Sequence, residues 1–428
     1  MPDSILWVSI LIPLLGAGAS RLAAPRIVAV AASALSALCI IACAAGGSQQ
    51  HEFGLLSISP VNQSALILFP LLCTAVLFAA PKRDMTPAMA GGSLTILAGT
   101  LLAYASVTQP VLLAGWILSA LPFIAGPFTS EGNWRPRAAL GLSCIALAAA
   151  MQLPEFPYLI VAAIVLRKGI FPAHAWFDES VERGPLLPSA LLFAGHLGAF
   201  LRLRAHELDD VLLSNLALLT AAYTAIRAVA ESRPRRVLAL ISLSQAACLL
   251  AGIESGTVIG NTGAMLHWIV VSLSTTGLFL ALRLAEVRFG ESLDTRSFHG
   301  LAEHAPRRAV LFAVCGLALV GLPGTLGFIS EDLLIHGTLD SHSHLSVLLP
   351  VATALNAVSI VRLFAHLFLG RLKRERSVAM DLLPRERLAL ACLAVALFVT
   401  GIWPKPIVDV QGRTFEFLKT AHTAKARP

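Results

Sequence analysis

The chain has 428 residues, 56% of them hydrophobic and only 13% charged, with a formal net charge of +7 and a mean hydropathy of +0.76. Soluble domains carry roughly 25% charged residues, so the composition excludes a water-soluble globule. The basic balance would suggest nucleic acid in a soluble chain, but here Lys and Arg fall in short loops between apolar runs, as cytoplasmic loops do, and no nucleic-acid partner is expected.

Apolar runs begin near Ser4, Ile27, Gln63, Thr86, Gln109, Ala138, Phe156, Leu186, Val211, Arg236, Gly260, Arg308, Leu345 and Arg387. Each is close to the ~20 residues that cross ~30 Å of hydrocarbon, which predicts an all-α polytopic membrane protein of about fourteen transmembrane helices. No basic stretch or small-residue cleavage site marks the N-terminus, so the first span is expected to be retained. Loops after odd-numbered spans hold Arg21 and Arg26, Lys82 and Arg83, Arg135 and Arg137, and later Lys373, Arg374 and Arg376; Arg202 and Arg204 are the exceptions after even-numbered ones. This bias predicts a multi-pass protein of a bacterial inner membrane with both termini outside. The tail, with Lys405, Arg413, Lys419, Lys425 and Arg427, runs against the bias and is expected to lie along a partner or the headgroups.

The seven cysteines fall inside apolar runs and form no CxxC pair, so they read as small core residues rather than metal ligands. The longest polar stretch, Arg283 to Arg308, is about half the ~50 residues of a small domain. The glycines of GLPGTLGF lie inside an apolar run and not after a strand, unlike a phosphate loop. No metal and no cofactor are expected.

Two interruptions stand out. Arg167 and Lys168 lie ~16 Å into the span that begins near Phe156, at 1.5 Å per residue, and Pro172 then removes an amide donor and breaks the helix. Cations at that depth cost ~2.5–3.5 kcal/mol each on insertion scales and usually mark a pathway; the bland reading is an ion pair that only fixes packing. His174 follows the break as a relay group or a donor to freed carbonyls. His196 and His267 are single histidines on apolar helices, either satisfied core groups or relay members. Pro323 breaks the span near Arg308, and Glu331 and His336 follow it, with Asp332 a candidate cap. His366 is a further candidate and Arg362 is expected to snorkel. Asp178, Glu179 and Glu182 suggest a wet funnel mouth, one of them pairing with Arg167, Lys168 or Arg183. Interrupted spans at corresponding places in two halves point to inverted repeats. This divides the chain into a three-helix segment (1–85), two five-helix repeats (86–204 and 205–370), each with one broken helix, and a C-terminal helix and tail (371–428).

FPAHAWF from Phe171, GPLLPSALLFAG from Gly184, RRVLALISLSQ from Arg235, Leu266-His267, GLPGTLGFISED from Gly321, LLPRERLAL and GIWPKPIV together resemble the proton-conducting antiporter-like membrane subunits. That family includes the large membrane subunits of complex I, subunits of multi-subunit cation/proton antiporters, and the membrane subunit of inorganic-carbon uptake complexes. The likeness runs roughly from Gln109 to Val408. It implies a hydrated half-channel in each repeat and a chain of buried ionisable groups. The family's glutamate after a tryptophan falls on Ile117, its lysine five residues before the proline on Arg167, with Lys168 beside it, its eighth-span histidine on Phe193, three residues before His196, and a later lysine on Thr275. His267 is retained, and Glu331 fits the glutamate version of the twelfth span.

The expected proton path is therefore Lys168, Arg167, His174, His196, His267, Glu331 and His336. The expected function is a proton-conducting or proton-coupled subunit, not a catalyst alone, resembling an antiporter-like subunit of a complex I type NADH:quinone oxidoreductase. Its expected partners are other membrane subunits, a soluble cytoplasmic protein and the bilayer. The rivals are the membrane subunit of a proton-driven inorganic-carbon uptake complex, towards which the glutamate-free WILSALPF leans, and a non-conducting scaffold; proton and sodium stay open as the coupled ion.

Overall fold

The computed structural model describes residues 2–45, 51–128, 134–205, 211–289, 293–341, 345–371 and 381–425. Lys373, Arg374, Arg376 and Arg427, used above for orientation, lie outside these residues, as do the side chains of Lys419 and Lys425. The described chain is almost wholly helical and forms two compact units, residues 1–204 and 205–428.

The first unit holds α1 (Pro2–Ala19), α2 (Pro25–Ala45), a small antiparallel hairpin pairing His51–Phe53 with Leu56–Ile58, α3 (Pro60–Ala79), α4 (Pro87–Ala105), α5 (Gln109–Ile124), α6 (Trp134–Gln152), α7 (Tyr158–Lys168), α8 (Ala175–Arg183), α9 (Leu186–Ala194) and α10 (Leu197–Arg204). The second holds α11 (Val211–Ala230), α12 (Pro234–Glu254), α13 (Val258–Phe289), α14 (Pro306–Leu319), α15 (Leu326–Ser341), α16 (Leu348–Phe368), α17 (Pro384–Ile402) and α18 (Lys405–Lys425). Many helices open on proline at the first position, where the missing amide costs nothing and the fixed φ suits the helix. Thr86 adds a side-chain cap by accepting from the Met89 amide at 3.1 Å.

Eight described helical spans are long and apolar enough to cross a bilayer by themselves, and α17 with α18, bent by 75°, makes a ninth only if counted as one. This is fewer than about fourteen. α1 and α5 are apolar but short, and the spans predicted near Phe156 and Arg308 are each divided into two helices. α12 and α13 have 94% of their apolar windows buried inside the protein, which makes them the centre of the second unit.

The breaks are set by glycine rather than by proline. α7 ends at Lys168 because Gly169 turns left-handed at φ +66, a C-terminal cap that glycine adopts at no steric cost; the helix stops before it reaches Pro172. α14 likewise ends before Gly321 at φ +78 and Gly324 at φ +88. A third interruption, unforeseen in the sequence, separates α9 from α10 at His196, which has φ +42.

Basic residues between spans are tied down. The Arg235 guanidinium donates twice to the Glu286 carboxylate, at 2.7 and 2.6 Å, Arg288 pairs with Glu386, and the Arg307 and Arg308 amides donate to Asp381 at 2.9 and 3.2 Å.

Candidate functional site

Among the described residues, each unit buries a cluster of ionisable groups beside a helix break. In the first unit Lys168 ends α7 at 2% exposure, and its Nζ lies 2.5 Å from Nδ1 of His196. An ammonium can donate to that nitrogen, or a neutral amine can accept from its N–H, so the contact is a proton-transfer geometry in either direction. The Phe193 ring lies 4.7 Å from the same Nζ, and its face favours the ammonium. Gly198 makes room for this arrangement: a Cβ there would meet Lys168 Cγ at 2.4 Å. His196 is held by its unusual backbone, which costs an L residue roughly 1–2 kcal/mol, and the Tyr104 hydroxyl donates to the Gly195 carbonyl just before it.

Arg167 points to a second set of groups. It donates to Ser119 Oγ at 2.6 Å and lies 5.1 Å from the Trp116 ring. Trp116 Nε1 donates to Ser143 Oγ at 3.1 Å, and Ser143 donates to the Ala163 carbonyl at 3.0 Å. The Arg167 Nη1 is buried without a hydrogen-bond partner among the described residues. Neither Arg167 nor Lys168 forms an ion pair with a described carboxylate. Glu179 pairs with Arg135 at 3.5 Å and with Arg183 at 3.8 Å, so of the three cations expected to meet this acidic group it is Arg183 that does. Ile117, at the family's glutamate position, is 39% exposed, so the α5 side chains that reach Arg167 are Ser119 and Trp116.

In the second unit His267 is wholly buried on α13 between Ser330 Oγ, 3.1 Å from Nδ1, and Gln245 Oε1, 2.9 Å from Nε2. The Ser330 hydroxyl donates to the Gly327 carbonyl at 2.9 Å, so Ser330 Oγ can accept from Nδ1–H, and the His267 ring is held from both sides. Glu331, next to Ser330 on α15, is buried. Its Oε1 accepts from Thr353 at 3.4 Å, and the Gln245 amide lies nearby, its Nε2 without a hydrogen-bond partner among the described residues. Gly321, in the break, leaves space for that carboxyl, since a Cβ there would lie 2.4 Å from Oε2. Gln245 thus stands between the histidine and the glutamate.

The other predicted residues lie elsewhere. His174 is buried at the start of α8, stacked on Phe171 at 5.9 Å between ring centroids. His336 is on the outer face of α15, where it meets Asp332 at 3.6 Å with both side chains largely exposed; Asp332 is inside the helix and caps nothing. His366 stacks on Phe298 at 4.6 Å. Arg362 donates to the Ala228 and Glu231 carbonyls at the end of α11. Thr275 donates to the Val271 carbonyl of its own helix at 2.6 Å. Sequence reasoning passed over Ser119, Gln245, Ser330 and Thr353, neutral polar groups whose signal was only their place in apolar runs. No group of His, Cys, Asp and Glu suited to a metal occurs among the described residues.

The family described as NADH:quinone oxidoreductase/Mrp antiporter, TM, matches residues 145–356, which contain Lys168, His196, His267 and Glu331. NADH-quinone oxidoreductase subunit M of Mycobacterium tuberculosis is 29% identical over 258 residues, 58% of this chain and 46% of that protein. NAD(P)H-quinone oxidoreductase chain 4 of Parasynechococcus marenigrum is 28% identical over 298 residues, 64% of this chain and 54% of that protein. The chain therefore spans about half the length of these curated relatives. Among solved structures, a chain of respiratory complex I from Thermus thermophilus with bound NADH superposes with TM-score 0.81 at 20% identity, covering 96% of this chain and 99% of that one. A chain of the Mrp complex from Dietzia sp. gives 0.79 at 17% identity, covering 97% of each. These likenesses establish the fold.

Proposed function

We propose that this chain, which belongs to the NADH:quinone oxidoreductase/Mrp antiporter family of membrane subunits, carries protons across part of a bilayer as one subunit of a larger membrane complex. The observation that carries the reading is the buried Lys168–His196 contact at 2.5 Å. Two groups that exchange one proton, set at breaks in two helices and inside an apolar unit, suit a relay better than a scaffold, because ionisable groups at bilayer depth are costly to keep. The second cluster, His267 with Gln245 and Glu331, supplies the same chemistry with a carboxyl as the acid. Arg167 is the fixed charge of the first cluster: a guanidinium stays protonated where a lysine can release, so conduction goes through Lys168.

The finer architecture belongs to the same proposal. About fourteen spans, with α7/α8 and α14/α15 each counted as one broken span, form two inverted five-helix repeats over 86–204 and 205–370. Both termini lie outside a bacterial inner membrane by the loop charges. The partners are other membrane subunits, as in the complexes named by the structural relatives. Purifying the complex, reconstituting it in liposomes and following internal pH tests the reading. Lys168→Ala and Glu331→Gln should each lower proton flux by about 10²-fold, the scale of a lost acid–base group. Flux unchanged in both would leave the chain a scaffold.

A further inference from the structure

The end of the first unit where α1 stops holds a groove that the Lys168 cluster does not use. It lies among the last turn of α1, the first turns of α4 and the last turns of α5, has a volume of about 740 Å³, and is lined mainly by small and apolar residues such as Gly18, Gly91, Ala125 and Gly126. On α4 the lining runs from Pro87 to Thr95, about 12 Å along the axis at 1.5 Å per residue. Its polar lining includes Arg21 and Thr86, both at helix ends. Arg21 thus sits at one end of a groove whose other lining is mostly small or apolar, with Thr95 a polar exception along α4.

Charge complementarity identifies the occupant. Arg21 and the α3–α4 turn residues Lys82 and Arg83 are exposed and form no ion pair among the described residues. The Ser20 hydroxyl donates to the Ala17 carbonyl at 2.8 Å and lies 3.3 Å from the Pro87 carbonyl, which places Arg21 close to the start of α4. Leu15 on α1 and Leu22 in the α1–α2 connection are 74% and 90% exposed, so the chain around Arg21 carries apolar side chains on its outside. A Cβ on Gly18 would meet nothing within 4 Å, so the protein itself leaves that space unfilled.

We propose that this groove binds an anionic phospholipid, with its phosphate at Arg21, Lys82 and Arg83 and an acyl chain along the small-residue floor. Basic pockets between transmembrane helices attract anionic headgroups in this way. A helix of a neighbouring subunit is the competing occupant, but an apolar helix would not answer Arg21 in the lining or Lys82 and Arg83 in the turn that leads into α4.

The test uses the protein extracted with its copurifying subunits and placed in nanodiscs of mixed phosphatidylglycerol and phosphatidylcholine, with a photoreactive acyl chain on one lipid or the other. Phosphatidylglycerol should label peptides containing Gly18 or Gly91 in clear preference to phosphatidylcholine. Each of Arg21→Ala, Lys82→Ala and Arg83→Ala should reduce that preference by about fivefold, and the triple variant should abolish it. Gly18→Leu should remove labelling by both lipids, while Gly18→Ala, which adds only a methyl group, should keep it and report an intact fold. Equal labelling by the two lipids, labelling undiminished in Gly18→Leu, or cross-links from the groove to another polypeptide instead of lipid would overturn the proposal.

Discussion

Gln245 is the residue on which the second cluster turns. Its carbonyl oxygen accepts from the buried His267, and a histidine deprived of that partner keeps an unsatisfied N–H in an apolar interior. Gln245→Leu should therefore destabilise the protein by about 1–3 kcal/mol and lower proton flux as well, which thermal unfolding and the liposome assay read separately. A loss of stability with flux unaltered would show that His267 is only a satisfied core group. Gly198 and Gly321 make the corresponding test of space. An added methyl would press on the Lys168 stem in one case and on the Glu331 carboxyl in the other, each at 2.4 Å. Gly198→Ala should cost about 1–3 kcal/mol and reduce flux by moving Lys168 away from His196. Gly321→Ala adds a left-handed backbone penalty of roughly 1–2 kcal/mol. A flux unaffected by Gly198→Ala, measured in folded protein, would separate the 2.5 Å contact from conduction.

At the scale of elements, what could be read from the sequence was charge out of place: Lys168, His196, His267 and Glu331 are conspicuous because they fall within or beside long apolar runs. Their partners were not legible. The Lys168–His196 contact depends on left-handed turns at Gly169 and His196, and a positive φ at a histidine has no signature in periodicity. The position of the breaks was misjudged for a related reason, since proline is the stronger helix breaker but glycine reached the left-handed conformation first in the chain. His336 could have been placed better, because five residues at 3.6 per turn carry it about 140° around the helix from Glu331, and it does lie on the outer face. The α13–α14 connection offers an element-scale prediction. Burial pushes the Asp294 carboxyl up, but the Arg296 and Ser297 amides and the Ser297 hydroxyl donate to it and His299 stands beside it, and together they hold it below its ordinary 3.8. The carboxylate contacts are thus present above that value and are lost as the pH falls below it, through the depressed folded-state value. Exchange protection of the Arg296 and Ser297 amides should hold from neutral pH down to the ordinary carboxylate range and fail beneath it. Asp294→Asn should weaken it at neutral pH, and protection independent of both would mean that the turn is held by other contacts.

At the scale of the molecule, two clusters raise the question of whether one proton meets both. Each unit carries its own break, its own histidine and its own titrating partner, Lys168 in one and Glu331 in the other. If the clusters act in series on a single track, the slowest step controls the flux, and effects of residues that act as a unit do not add. Lys168→Ala, His267→Ala and the double variant should then give nearly equal residual flux in the reconstituted complex. Independent tracks would behave otherwise: each single variant would leave the other track running, and only the double would approach the leak of empty liposomes. The series outcome is expected here, because the proposed half-channel of each repeat crosses only part of the bilayer and cannot conduct alone. Single variants that retain about half the flux would reject the half-channel description while leaving the Lys168–His196 pair as a proton-carrying site.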